Sequence, residues 1–178
     1  DKYQPIDGVR VHQIGWKTNI PGVSYATRVL DVRRYVKELK PEVFHAHYVF
    51  GYGTMAALAH ATPLIVTAMG SDIGSECERS FMVRRGVRYT LEHTDVLAVK
   101  DSLARERAIE LGCDPDHVVI MRSCCDTNFF QPDARDFALR WNLGTVLCRS
   151  VIYTRPFNSY YRALDLAVAI PRVIKEYP

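Results

Sequence analysis

The sequence predicts an α/β fold, a parallel sheet covered by helices, and three observations carry that prediction. Short apolar, β-branched runs alternate with stretches of helical period along the whole chain. Two consecutive units repeat one form: Val43 to His47 enters the turn Tyr48-Val49-Phe50-Gly51-Tyr52-Gly53 and the helical run Thr54 to Ala61, and Leu64 to Val66 then enters Gly70-Ser71-Asp72. Two such strands joined by a short helix form a right-handed parallel crossover and place both turns on one edge. In open parallel sheets that carboxyl edge is where ligands bind.

Taken in order, Val9 to Ile14 alternates apolar and polar residues and predicts an edge strand with one apolar face. Gly15 to Val23 reads as a loop. Tyr25, Val29, Val32, Val36 and Leu39 follow helical spacing, with Ser24 as the expected cap and Pro41 as the stop. After the two strand-turn units, Gly74 to Ser80 is polar and is read as an irregular, mobile connection. Phe81 to His93 predicts a helix and Thr94 to Val99 a strand. Asp101 is the expected cap of a helix over Ser102 to Leu111 that closes at Gly112. Val118 to Met121 predicts a strand, Asp133 to Asn142 a helix, Thr145 to Tyr153 a strand and Tyr160 to Tyr177 an amphipathic helix.

Length and composition suit such a fold. The 178 residues are 48% hydrophobic and 24% charged, ordinary for a globular chain able to bury a core. A formal charge of +3, with no basic run interleaved with aromatics, excludes nucleic acid as the expected partner. Five cysteines, Cys77, Cys113, Cys124, Cys125 and Cys148, form an odd set without C-x-x-C spacing, so reduced thiols and a cytoplasmic location are expected rather than a zinc site. No apolar run approaches the roughly 20 residues of a membrane span. The chain opens at Asp1 rather than Met, and the expectation is a piece of a longer protein.

Five segments carry a resemblance. Lys40 to Tyr48, read KPEVFHAHY, followed by Pro63 to Ile73, read PLIVTAMGSDI, resembles the "KPDVVHAHY" and "PLVVTAHGSD" segments of the retaining family 4 glycosyltransferases (group 1). Leu91 to Val99 resembles that family's "ADVVIAVS" strand, and Ile120 to Pro132 its "VIPNGVDTxxFxP" segment. Ser150 to Arg155 resembles the "LxVGR" strand that opens the family's second domain.

The resemblance implies a Rossmann-like sheet within a two-domain GT-B fold. Residues 1–143 would form the acceptor-side domain without its first strand and helix, and 144–178 the start of the donor-side domain. It implies an enzyme that moves a sugar from a nucleotide sugar to an acceptor with retention, using no cofactor. No paired-glutamate E-x7-E motif is present, so this piece alone is expected to be inactive. The resemblance assigns His45, His47, Gly70, Ser71 and Asp72 to substrate and Arg155 to the donor's phosphates, where a guanidinium offers fixed paired donors.

His45 and His47 share one strand face. A metal would need a third ligand, with Asp72 the nearest candidate; a packing or hydrogen-bonding pair is the default, and no metal is assigned. Gly70, Ser71 and Asp72 suggest a turn of backbone N–H groups open to an anion. Two positions depart from the family. Met69 stands where His is common, and Ser123-Cys124-Cys125-Asp126 lacks the usual glycine, so Cys124 must find another conformation or strain the turn. Arg33, Arg34, Lys37 and Lys40 on the first helix suggest peripheral contact with an anionic membrane, against a plain solvated face. Two alternatives stay open: a non-catalytic binding module that inherited the fold, and a nucleotide-sugar epimerase.

Overall fold

The computed structural model describes residues 7–14, 20–131, 136–148, 150–157, 159 and 161–177. The expected loop at 15–19, the start of the expected helix at 133–135, and Asn158 and Tyr160 lie outside the described residues. The chain divides into two compact units, Asp1–Cys124 and Cys125–Pro178.

In the first unit, α1 spans Pro21–Leu39. Proline at the first helical position fixes φ where no N–H partner is needed, so the helix starts before Ser24. The cap expected at Ser24 is therefore a fully buried interior residue instead, and its hydroxyl has no hydrogen-bond partner. The helix ends at Lys40, whose left-handed φ of 43° lets its N–H reach the Val36 carbonyl.

Four strands follow: β1 Phe44–His47, β2 Leu64–Thr67, β3 Val96–Val99 and β4 Val118–Ile120. They form one parallel sheet in the order β1-β2-β3-β4. This is the parallel α/β architecture that the alternation predicts, a Rossmann-like sheet with flanking helices. A sheet laid down in chain order by right-handed crossovers carries all its connecting helices on one face. Those connections are α2 Thr54–Leu58, the pair α3 Ser75–Arg79 and α4 Phe81–Glu92, and α5 Ser102–Glu110. The covered face holds the core: Ala46, Leu64, Val66, Leu97 and Val99 pack with Ala56, Val87, Leu91 and Ala108. The opposite face carries His45, His47, Ile65 and Thr67, which are exposed or half-exposed.

Side-chain caps fix the helix starts. Ser80 accepts from the Met82 N–H, and Asp101 from the Ala104 N–H at 2.8 Å. Gly112, at φ 104°, closes the turn after α5.

Two expectations in this unit are corrected. Residues Val9 to Ile14 form no strand; Val9 to Gln13 are exposed and Ile14 is half-buried, and His12 packs its ring on Tyr35 of α1 at 4.9 Å. Gly74 to Ser80 is not an irregular link but mostly helix α3. Its order comes from Cys77, which is buried in the core, and from Arg107 of α5, which donates to the Ile73 carbonyl at 3.2 Å and pairs with Glu78.

The second unit contains α6 Phe137–Asn142, capped by Asp136, and α7 Ala163–Glu176. The strand expected over Thr145 to Tyr153 is absent from its described residues. A strand is stable only beside another, and here the Arg140 guanidinium instead gathers the Thr145 and Cys148 carbonyls at 2.7 and 2.8 Å into a turn. Cys124 avoids positive φ, so the missing glycine leaves no left-handed strain there. Asp126 accepts from the Asn128 and Phe129 N–H groups and caps the turn that follows.

Candidate active site at the carboxyl edge of the sheet

All four strands run parallel, so the residues that leave them converge on one edge. The ladder extends there by one bond per strand pair: Tyr48 N–H to the Thr67 carbonyl, Ala68 N–H to Ala98, and Met121 N–H to Val99. Beyond it lie Tyr48 and the turn Val49 to Gly53 after β1, Met69 to Ile73 after β2, and Lys100 after β3.

Asp72 organises this edge. It is 0% exposed, and its carboxylate collects N–H groups from two separate turns. Oδ2 accepts from Val49 at 2.7 Å; Oδ1 accepts from Gly70 at 2.9 Å, Met69 at 3.1 Å and Ile73 at 3.2 Å. The nest of N–H groups expected to be open to an external anion is thus filled by the chain's own carboxylate. Gly70 sits at φ 102°, which only glycine adopts without strain.

Tyr48 bridges the same two turns through its side chain. Its hydroxyl lies 3.0 Å from Ser71 Oγ and donates to Glu76 Oε1 at 2.5 Å, a length typical of a bond to an ionised carboxylate. Burial, and then the bond to Glu76, push the phenol's pKa above its ordinary value, so it remains a donor. Tyr48 holds this position at φ 92°, ψ 121°, outside the regions open to ordinary residues. Backbone strain of this kind persists where surrounding structure over-determines it, and it clusters at functional sites. Close packing supplies the restraint: a Cβ on Gly53 would stand 3.0 Å from the Tyr48 carbonyl and 2.9 Å from Thr90 Cγ2.

His45 and His47 lie on the sheet face that the described helices leave open. Their rings are 4.2 Å apart, and His45 Nε2 meets Thr67 Oγ1 at 2.8 Å. Burial, with a smaller contribution from the charge of His47, lowers the pKa of His45. A groove of about 300 Å³ runs along this edge strand, lined by both histidines, Val32, Tyr52 and Met55. Among the described residues no three His, Cys, Asp or Glu side chains converge as metal ligands, and Asp72 is spent on backbone donors.

Met69 is 56% exposed at the end of β2. Lys100 brings the positive charge: its Nζ would be 3.5 Å from a Cβ on Gly70, and its ionic neighbour is Asp101 at 3.8 Å. Arg155 belongs to the second unit, exposed in an irregular segment with its guanidinium 5.5 Å from the centre of the Tyr161 ring.

A family model described as Glycosyl transferase 4-like domain matches residues 2–123. The chain belongs to this family. No curated protein matches it. The match spans the sheet and every residue at its carboxyl edge. It also covers three site residues that sequence reasoning missed, Tyr48, Glu76 and Lys100. Tyr48 was visible as the last letter of KPEVFHAHY. Glu76 was hidden in a stretch read as irregular, and Lys100 is marked only by following a strand directly. Among the described residues of this glycosyl transferase 4-like domain, no helix is long and apolar enough to cross a membrane. Arg33 and Lys37 are exposed on α1, while Arg34 pairs with Glu38 at 3.3 Å.

Proposed function

We propose that the chain is part of a two-domain GT-B glycosyltransferase that moves a sugar from a nucleotide sugar to an acceptor with retention. In this reading residues 1–143 supply most of the acceptor-side domain, and 144–178 begin the donor-side domain. The observation that carries it is the carboxyl edge itself: Asp72 locks two strand-end turns together, so that Tyr48, Gly70 and Ser71 face one place in a family whose chemistry is glycosyl transfer.

Ser71 and Gly70 would line the acceptor, with His47 beside them at the end of β1 and His45 holding Thr67. Asp72 positions rather than touches substrate. Arg155 would meet the donor's diphosphate, where oriented cationic donors stabilise the leaving group without a metal. The uncovered apolar side chains of α7, Leu164, Val168 and Ile174, fit a helix that packs within a larger second domain.

The test is incubation of the protein spanning both domains with a panel of nucleotide sugars, reading product by proton NMR. Retention predicts a product with the donor's anomeric configuration, undiminished by chelator. An inverted product, or turnover that returns only with added metal, refutes the mechanism. An epimerised donor points to the epimerase. Met69, which cannot move a proton, favours a second reading as a binding module, for which the same panel would show binding without turnover. Cosedimentation with anionic vesicles, lost in Arg33→Gln/Lys37→Gln, tests membrane contact by α1.

A further inference from the structure

Helix α2 is only five residues long, whereas α1 and α4 run to 19 and 12. The short helix leaves a cavity of about 430 Å³ that residues of all three helices line. That lies within the roughly 300–1,000 Å³ usual for small-molecule sites. Its walls are rings and aliphatic chains: Tyr25 from α1, Phe50 from the turn after β1, Leu58 from α2, and Met82 and Tyr89 from α4. Two of the rings are held in place. Tyr25 donates its hydroxyl to the Gly51 carbonyl at 2.9 Å. The Phe50 ring rests on α4 because Gly86 has no side chain; a Cβ there would stand 2.9 Å from Phe50 Cε2.

The charge beside these rings has one sign. Arg85 also lines the cavity, and among the described residues no carboxylate pairs with it. Arg84 and Arg88 lie on the same helix in a groove that shares Arg85 and Tyr89 with the cavity, and Glu92 in that groove forms no ion pair with any of the three. A preset slot of rings favours a flat aromatic group, because ring faces and edges pack in defined geometries. An unpaired guanidinium beside it favours a carboxylate, which accepts two parallel bonds from one arginine.

We infer that this cavity in the helical layer is a second ligand site, which takes a small aromatic carboxylate with its ring among Tyr25, Phe50 and Tyr89 and its carboxylate on Arg85. The site is linked to the carboxyl edge through the chain. Phe50 is two residues from Tyr48, whose phenol bonds Ser71 and Glu76, so a ligand packed on Phe50 braces the turn that carries Tyr48. A free molecule fits better than a lipid surface, because the apolar groups line a concavity rather than a ridge.

The experiment titrates the isotope-labelled chain with phenylpropionate, with uncharged phenylpropanol, and with phosphatidylglycerol vesicles, following the amides of Phe50, Leu58 and Gly86. Phenylpropionate should bind with a dissociation constant on the order of 1 mM, as a ligand of its size allows, and about tenfold more tightly than phenylpropanol. Arg85 is exposed, so Arg85→Gln should fold normally and erase that difference. Leu58→Trp should fill the slot and stop both compounds from binding. The Tyr48 and Val49 amides should move in parallel with Phe50. Equal affinity for the two compounds, a preference that survives Arg85→Gln, binding untouched in folded Leu58→Trp, or no shift up to about 10 mM would each overturn the inference. Vesicles that shift these amides where phenylpropionate does not would assign the surface to a membrane and overturn it as well. Shifts at Phe50 that stop short of Tyr48 would overturn the link to the edge.

Discussion

Replacing Asp72 with alanine should be the most damaging single change in the first unit. The carboxylate serves four N–H groups, two of which, on Val49 and Ile73, are buried. A buried donor left without a partner costs about 1–3 kcal/mol, so these two set a loss of about 2–6 kcal/mol. The Met69 and Gly70 donors are part-buried and recover water. Relief of the carboxylate's own desolvation offsets part of the loss, which places the net in the lower half of that range, about 2–4 kcal/mol. That is a large share of the roughly 5–15 kcal/mol that holds a domain together. Asp72→Asn keeps one acceptor but turns an amide donor toward other donors, so it should lose about half as much. Urea unfolding measures both. A loss under about 1 kcal/mol for Asp72→Ala, with the Val49 amide unshifted in NMR spectra, would refute the claim that this carboxylate ties the two turns together.

Ser24→Ala should leave stability unchanged or raise it by about 1 kcal/mol in thermal melts, because it removes a buried hydroxyl that has no partner. Gly53→Ala should destabilise by about 1–3 kcal/mol, since the new Cβ would stand 2.9 Å from Thr90 Cγ2; unchanged melting would contradict that crowding. Thiol labelling at neutral pH should modify exposed Cys124, Cys125 and Cys148 quickly and buried Cys77 and Cys113 only on unfolding, because burial and then Asp114 push the Cys113 thiol up to about 11. His45 should titrate by NMR below the ordinary 6.5, and His47→Gln should move it part of the way back. Since folding lowers this pKa, the stability His45 contributes is present above 6.5 and is lost as pH falls through its lower folded value.

The strands and helices of the first unit were legible because their signals are local. Leu64 to Val66 reads as a two-side-buried run, Asp101 and Gly112 bracket α5, and Pro41 follows the end of α1; each needs only a few neighbouring residues. Val9 to Ile14 and Thr145 to Tyr153 have equally good local patterns and form no strand, because a strand is completed by a partner that its own residues do not encode. Gly74 to Ser80 failed the other way. Its composition is polar, yet Cys77 below it and Arg107 from a helix some thirty residues later hold it as a helix.

The site divides along the same line. The strand-end turn at Gly70, Ser71 and Asp72 was legible because a strand running into small polar residues is a pattern in sequence. The direction in which Asp72 acts was not, since a carboxylate beside a glycine turn reads as an outward-facing ligand until Val49, more than twenty residues away, is seen to donate to it. Once that bond is known, the other assignments shift with it. The Met69, Gly70 and Ile73 N–H groups are committed to Asp72; Tyr48 is pinned by the turn that Asp72 grips, so its phenol can hold Glu76 and Ser71 in place. A metal between the histidines loses its third ligand by the same bond. One buried acceptor thus sets the geometry of the whole edge, which is why its removal should displace side chains it never touches.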